Sequence, residues 1–121
     1  MRALKPAQKT NHFPGSWHLG RKDLIWKNVS RMQRRFGKAF QITPTGYVLP
    51  KAFSIWEAER LQKPDALWIW KPCSQSCGRG IKVFNSSMTP EQAREVGRKR
   101  GIIQKYVPNP LLIDGFKFDL R

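Results

Sequence analysis

The sequence predicts an α+β fold with mixed or antiparallel sheets and flanking helices, and three observations support this class. Helical patterns and short apolar strand patterns alternate along the 121 residues. Asp114-Gly115 separates two apolar segments, which is a strong signal for a β-hairpin and so for antiparallel pairing. Thr89-Pro90-Glu91-Gln92 combines a cap residue, a first-turn proline and a capping-box glutamine, which marks the start of a helix.

Three helices are expected. Apolar residues recur at helical spacing over Arg21–Phe36, and Gly37 supplies a stop. The capping-box pattern that begins at Ser54 predicts a short helix to about Gln62. The helix that begins at Thr89 should run to about Arg100 and end at Gly101.

Short apolar segments between these helices predict strands. The expected strands are Ala39–Ile42, Tyr47–Leu49, Leu67–Trp70, Ile81–Phe84, Ile102–Val107 and the two hairpin arms, Leu111–Ile113 and Phe116 onward. In the last arm, strand alternation predicts a core face formed by Phe116, Phe118 and Leu120. The opposite face would carry Lys117, Asp119 and Arg121.

Composition narrows the class of protein. With 40% hydrophobic and 12% aromatic residues, the chain is too apolar for a disordered tail. No segment approaches the roughly 20 apolar residues of a membrane span, so no membrane partner is expected. Two cysteines do not make a disulfide scaffold, which favours a reducing, intracellular setting.

The charge is strongly positive and unevenly distributed. Lys and Arg number 23 against 8 acids, a formal net charge of +15. Met1–Thr43 carries ten bases and one acid, Pro44–Trp70 is balanced, and Lys71–Arg121 carries ten bases and four acids. Such an excess favours a polyanionic partner: nucleic acid, nucleotide phosphates, anionic lipid or an acidic protein. The alternative is a set of solvated basic helix faces.

Lys71 stands at the end of a predicted strand, before a loop of small residues, Ser74–Gly80. A lysine beside such a loop suits phosphate binding, because glycines let backbone N–H groups approach the oxygens and the ammonium supplies charge. The order differs from a P-loop, in which the lysine follows the glycines. An ordinary hairpin connection is the alternative.

Two further patterns suggest binding chemistry. On the last strand, Lys117, Asp119 and Arg121 share one face that is suited to a nucleotide's phosphates and ribose, or else is a solvated outer face. Cys73 and Cys77, with His12 and His18, suggest zinc only weakly, since the pairs lie far apart, and buried free thiols are the favoured alternative. No catalytic triad or carboxylate dyad is indicated by spacing.

At these positions the sequence resembles the tubulin tyrosine ligase-like family of ATP-grasp amino-acid ligases. Matching segments occur in order and are Asn11–Trp17 with Gly20–Leu24, Trp68–Pro72 with Gly78–Ile81, Ile103–Val107, and Leu112–Arg121. The resemblance implies a partial ATP-grasp-like fold, with residues 1–121 as a single domain that is truncated at its C-terminal end.

The resemblance also implies an activity. Such enzymes use ATP to activate a carboxylate as an acyl phosphate and then join an amino acid to it. The motifs look most like those of the polyglutamylases, which add glutamate to the acidic C-terminal tails of tubulin, a partner that +15 would favour. The implied cofactors are ATP and magnesium, whose ligands would lie beyond residue 121. The implied location is the cytoplasm and cytoskeleton, with the cilium or basal body as a narrower expectation.

The resemblance assigns roles residue by residue. The implied cofactor-binding residues are Lys71, Cys77, Gly78, Gln104, Lys105, Tyr106, Val107, Lys117, Phe118 and Asp119. Lys71 and Lys117 would contact phosphate, Asp119 the ribose, and Arg121 the reacting groups as the catalytic residue. By the same resemblance, the Cys77-Gly78 turn would lie over the phosphates, and Gln104 to Val107 would line the adenine. No metal ligand is assigned. Rival interpretations are a basic nucleic-acid-binding module, although no nucleic-acid-binding motif is present, and a non-catalytic microtubule-binding domain.

Overall fold

Helices lie on both faces of a four-stranded antiparallel sheet in the structure, a computed structural model that describes residues 7–9, 11, 13–85 and 87–118. Within these residues the helices are α1 (Trp17–Gly20), α2 (Lys22–Phe36), α3 (Phe53–Gln62) and α4 (Pro90–Arg98). The strands are β1 (Gly46–Leu49), β2 (Trp68–Pro72), β3 (Lys82–Phe84), β4 (Gly101–Lys105), β5 (Leu112–Ile113) and β6 (Phe116–Lys117).

The main sheet has the order β1-β4-β2-β3, and every neighbouring pair is antiparallel. In this register Ile103 lies opposite both Tyr47 and Trp70, while Lys71 lies opposite Ile102. Among the residues that the structure describes, strands β5 and β6 pair only with each other and form a separate hairpin. The α+β class with antiparallel sheets and flanking helices is confirmed.

The hydrophobic core lies between one face of the sheet and helices α3 and α4. Its buried members are Leu49, Trp56, Trp68, Trp70, Met88, Ala93, Val96 and Ile103. Trp56 and Trp68 are fully enclosed and meet edge to face, with ring centroids 6.2 Å apart. Because side chains alternate along a strand, this packing turns Lys71, Ile102 and Gln104 toward the other face.

Helix α2 lies against β4 on that second face. Ile102 is 1% exposed although it lies outside the main core, so α2 shields the sheet here as well. The helix ends at Gly37, whose φ of 63° favours glycine, as the sequence predicts. In the part of the chain that the structure describes, no helix is long and apolar enough to cross a membrane.

Two local predictions are confirmed in detail. The capping box of α4 is complete: Gln92 N–H donates to Thr89 Oγ1 at 3.3 Å, and Thr89 N–H donates to Gln92 Oε1 at 2.9 Å. The hairpin turns at Asp114 and Gly115, which have φ values of 50° and 80°. Two consecutive left-handed residues are what a tight two-residue hairpin loop requires.

Two predictions are wrong: one expected strand does not form, and one helix begins without its expected cap. The strand expected at Ala39–Ile42 is replaced by a 3₁₀ helix over Gly37–Phe40, because Gln41 N–H bonds back to the carbonyl of Lys38 at 3.0 Å. Helix α3 has no capping box at Ser54. The chain is already turning there, since Phe53 N–H donates to the carbonyl of Pro50 at 3.1 Å.

Gly101 does not end a helix but opens β4. A Cβ at this position would lie 2.4 Å from Nε1 of Trp70, so the close approach of two strands explains the glycine. The core face predicted for the last strand is also wrong for Phe116, which is 76% exposed because β6 pairs only with β5. Phe118 is half-buried, and Leu120 lies outside the described residues.

Candidate functional site

A cavity of about 300 Å³, called here the α2 cavity, brings together two of the predicted cofactor-binding residues. Its lining is Lys22, Ile25 and Trp26 from α2, Thr43 and Pro44 from the following loop, Lys71 from β2 and Gln104 from β4. Lys71 Nζ donates to Gln104 Oε1 at 3.1 Å, across a diagonal pair of the sheet. One wall is therefore cationic and polar, and the other is apolar.

Three lysines create the electrostatic character of this cavity. Burial lowers the pKa of the Lys71 ammonium below its ordinary value, and the positive charges of Lys22 and Lys117 lower it further. No aspartate or glutamate is among the described residues that line the cavity. A bound anion would relieve this repulsion, which is the behaviour of an anion-binding site.

The small-residue loop after β2 is attached to α2. Lys22 Nζ donates to the carbonyl of Gln75 at 2.6 Å, across 53 residues of sequence. Cys77, Gly78 and Gly80 have φ values of 56°, 72° and 69°, so the loop makes successive tight turns. Cys77 is an exposed free thiol with a left-handed backbone, and it lies in the turn that the resemblance assigns to the phosphates.

The segment that follows Gln104 lies at a different cavity. Lys105 and Tyr106 line a space of about 500 Å³ together with the chain between α3 and β2, and Val107 is exposed. Lys105 N–H donates to the carbonyl of Thr45 at 2.9 Å, and Tyr106 N–H donates to the carbonyl of Leu67 at 2.8 Å. Adenine contacts from these residues would therefore use carbonyl oxygens or side chains.

The C-terminal hairpin contributes one cation to the neighbourhood of Lys71. Lys117 lies on exposed β6 and is close enough to lower the pKa of Lys71. Phe118 follows it and is half-buried. Asp119 and Arg121, which were assigned to ribose and to the reacting groups, lie outside the described residues.

Sequence reasoning predicted Lys71 and Gln104 but missed the other five residues of the α2 cavity lining, of which Lys22 and Thr43 are the polar ones. Lys22 stands in the first turn of α2, where the helix dipole disfavours cations, and that misplacement was an available signal. The hydroxyl of Thr43 is buried without a hydrogen-bond partner among the described residues, so it is free to bond a ligand in the cavity. In the sequence, Thr43-Pro44 indicated only an interruption between secondary-structure elements.

The described residues hold no group of three or more histidine, cysteine, aspartate or glutamate side chains that could bind a metal ion. Cys73 and Cys77 are both free thiols, and burial raises the pKa of Cys73. His12 lies outside the described residues. A zinc site built on these cysteines has no support in the described part of the chain.

The fold and the lysine cluster define a class: an α+β domain with a cationic, partly apolar cavity on one face of an antiparallel sheet. The family model described as "Tubulin-tyrosine ligase family" matches residues 1–121. The chain belongs to this family, and the resemblance found from its motifs is confirmed.

Similar proteins carry related names. The tubulin monoglutamylase TTLL4 of Mus musculus is 42% identical over 126 residues, covering 99% of this chain and 10% of the relative. The tubulin polyglutamylase TTLL5 of Homo sapiens is 40% identical over 122 residues, covering 100% of this chain and 9% of the relative. The tubulin polyglutamylase TTLL13 of Mus musculus is 38% identical, covering 98% of this chain and 14% of the relative. The chain thus spans about a tenth of the length of the relatives it matches.

Proposed function

We propose that this chain is part of an ATP-dependent ligase that adds glutamate to the glutamate side chains of tubulin tails. The observation that carries this function is the pair Lys22 and Lys71 in the lining of the α2 cavity, with Lys117 near Lys71, in a chain of the Tubulin-tyrosine ligase family. Relatives at about 40% identity are named tubulin glutamylases. The proposed location is the cytoskeleton, with the cilium or basal body as its narrower form.

In the proposed reaction a carboxylate of the acceptor attacks the γ-phosphorus of ATP, and ADP leaves. The amine of glutamate then attacks the acyl phosphate and displaces inorganic phosphate, which leaves an amide bond. Lys71 and Lys117 would offset the charge of the phosphates, and Lys22 is added here as a third cation with the same role. The hydrogen bond from Lys71 to Gln104 would hold the ammonium at the cavity.

The remaining assignments stand as proposals on the family motifs. The Cys77-Gly78 turn would lie over the phosphates, and the adenine would lie along Gln104, Lys105, Tyr106 and Val107. Phe118 and Asp119 would lie beside the nucleotide, with Asp119 at the ribose, and Arg121 would contact the reacting groups. The cationic lining of the α2 cavity fits a polyphosphate.

Magnesium is the second proposed cofactor, and it would neutralise charge on the phosphates during transfer. The described residues do not provide a group of three or more ligands for it. By the family resemblance, its carboxylate ligands would lie beyond residue 121. For that reason we expect the chain alone not to add glutamate to tubulin.

A chimera tests the function directly. In it, residues 1–121 replace the matched segment of mouse TTLL4, with which they share 42% identity. With ATP, labelled glutamate and tubulin, the chimera should incorporate label, and Lys71→Ala should abolish most of that incorporation. The control is Lys82→Ala, an exposed lysine on β3 with the same change of charge. A folded chimera that binds ATP but transfers no glutamate would reject the proposed function.

A further inference from the structure

A row of cations along the exposed side of α2 and the turn after it has no role in the proposed ATP site. This row, called here the basic face, consists of Lys27, Arg31, Arg34, Arg35 and Lys38, all exposed. Lys22, Ile25 and Trp26 belong to the other side of the same helix and line the α2 cavity. The helix therefore presents separate surfaces to the cavity and to solvent.

Charge on the basic face is not neutralised by carboxylates. Among the described residues, none of its five side chains forms an ion pair. The one acid between Met1 and Thr43 is Asp23, and Arg21 already binds it through hydrogen bonds of 3.1 and 2.8 Å. Helix α4 differs, because its Arg94 and Lys99 pair with acids of the same helix.

A groove of about 420 Å³ runs along this face. Its lining includes the cations Lys27, Arg31 and Arg34 and the polar residues His18, Asn28 and Ser30. Guanidinium groups match carboxylates in a two-pronged geometry, and the Asn28 amide, which uses one N–H toward His18 Nδ1, has a second N–H to donate. The groove therefore has the chemistry of a carboxylate-binding surface.

We propose that the basic face binds an acidic polypeptide segment in an extended conformation. Successive turns of α2 place Lys27 and Arg31 about 6 Å apart along the helix axis. An extended peptide places alternate side chains on one side about 6.6 Å apart. Every second glutamate of an extended acidic segment would thus meet a cation. That this segment is the acceptor tail rests on the proposed function.

The groove lining disfavours two other polyanions. Single-stranded RNA is held by aromatic rings on which its bases stack, and the groove is lined by no Phe, Tyr or Trp. A membrane-binding helix needs an apolar face next to its cations. Here, among the described residues, Leu24 is the one apolar residue of the groove lining, and the apolar Ile25 and Trp26 lie on the other side of α2, where they line the α2 cavity.

Binding is measured by fluorescence anisotropy of a labelled glutamate-rich peptide with the full chain, without ATP. The test variant is Lys27→Gln/Arg31→Gln/Arg34→Gln, because glutamine keeps helix propensity. Three lost surface contacts of about 0.2–1 kcal/mol each predict a roughly 3- to 150-fold weaker Kd. The control Lys51→Gln/Lys82→Gln/Arg98→Gln removes the same charge from exposed sites elsewhere and should change Kd less than about twofold.

Equal weakening by both triple variants, with unchanged thermal unfolding, would overturn the proposal, because net charge alone would then explain binding. Tighter binding of single-stranded RNA or of anionic vesicles than of the peptide, lost in the same triple variant, would also overturn it. Peptide binding should persist in Lys71→Ala.

If peptide binding fails while the TTLL4 chimera is active, the docking surface is rejected and the proposed function stands alone. If the peptide binds and the chimera is inactive, only the docking surface stands.

Discussion

Replacing Lys71 with alanine should separate nucleotide binding from folding. Among the described residues, the ammonium makes one hydrogen bond, to Gln104 at 3.1 Å, and it is partly buried beside two other lysines. In the absence of a ligand, Lys71→Ala loses that bond but also removes repulsion from Lys22 and Lys117. The two effects oppose each other, so we expect the free energy of unfolding to change little.

ATP binding should respond much more strongly. A hydrogen bond between an ammonium and a phosphate contributes about 1.5–3 kcal/mol, so its loss should weaken ATP binding by roughly 10- to 150-fold. Isothermal titration calorimetry measures this change, and thermal unfolding by circular dichroism checks that the variant folds. Lys82→Ala is the matched control, because Lys82 is an exposed lysine on the neighbouring strand β3.

Three results would refute this reasoning. Unchanged ATP affinity in Lys71→Ala would remove Lys71 from the phosphate site. An equal loss in Lys82→Ala would attribute binding to net charge and not to the α2 cavity. A large loss of stability in Lys71→Ala alone would show that the ammonium stabilises the fold. That would contradict the lowered pKa of Lys71, which means that the folded protein disfavours the charged form.

Two further variants test the surroundings of the site. Gly46→Ala would place a Cβ 2.8 Å from Cγ of Gln104, so it should displace that side chain and break its hydrogen bond to Lys71. ATP binding should then weaken by roughly 2- to 10-fold. An unchanged calorimetric titration curve would contradict this. Asp23→Asn should lower the free energy of unfolding at neutral pH by about 1 kcal/mol and make it less sensitive to acid. Burial raises the pKa of Asp23, but its bonds to Arg21 outweigh this and the pKa is lowered, so its stabilisation is present above the ordinary carboxyl pKa and is lost as pH falls. Urea unfolding as a function of pH measures the effect, and identical pH profiles for Asp23→Asn and the parent chain would exclude it.

Local signals in the sequence were sufficient for much of the fold. The cap of α4 depends on Thr89 and Gln92, which lie within one turn of each other, and the hairpin depends on the adjacent Asp114 and Gly115. The helical period of α2 is likewise contained in its own 15 residues. Each of these structures is determined by interactions between near neighbours, which is why a single sequence predicts them.

Features that depend on distant contacts were not predictable in this way. Gly101 resembles a helix stop, yet it is required by the approach of Trp70 from another strand. Lys22 donates to the loop after β2 across 53 residues; a cation in the first turn of a helix is unusual, but nothing in its own segment identifies that partner. The motifs named Lys71 and Gln104 separately, but only the sheet register brings them to a common face. The arrangement of the site could therefore be found only from the fold, whereas Lys71 and Gln104 themselves could be named from the sequence.

The pH dependence of ATP binding gives the most direct test of the lysine cluster. Burial and the charges of Lys22 and Lys117 lower the pKa of Lys71 below the value of about 10.4 of an ordinary lysine. Only the protonated ammonium attracts phosphate, so ATP affinity should be greatest below that lowered pKa and should fall as pH rises through it. Lys71→Arg keeps its charge throughout this range, and the variant should lose the part of the decline that belongs to Lys71. Calorimetric titrations of both proteins from neutral to alkaline pH measure the difference. Superimposable pH profiles would show that the charge of Lys71 does not contribute to nucleotide binding, and the lysine cluster would then have to act through Lys22 and Lys117 alone.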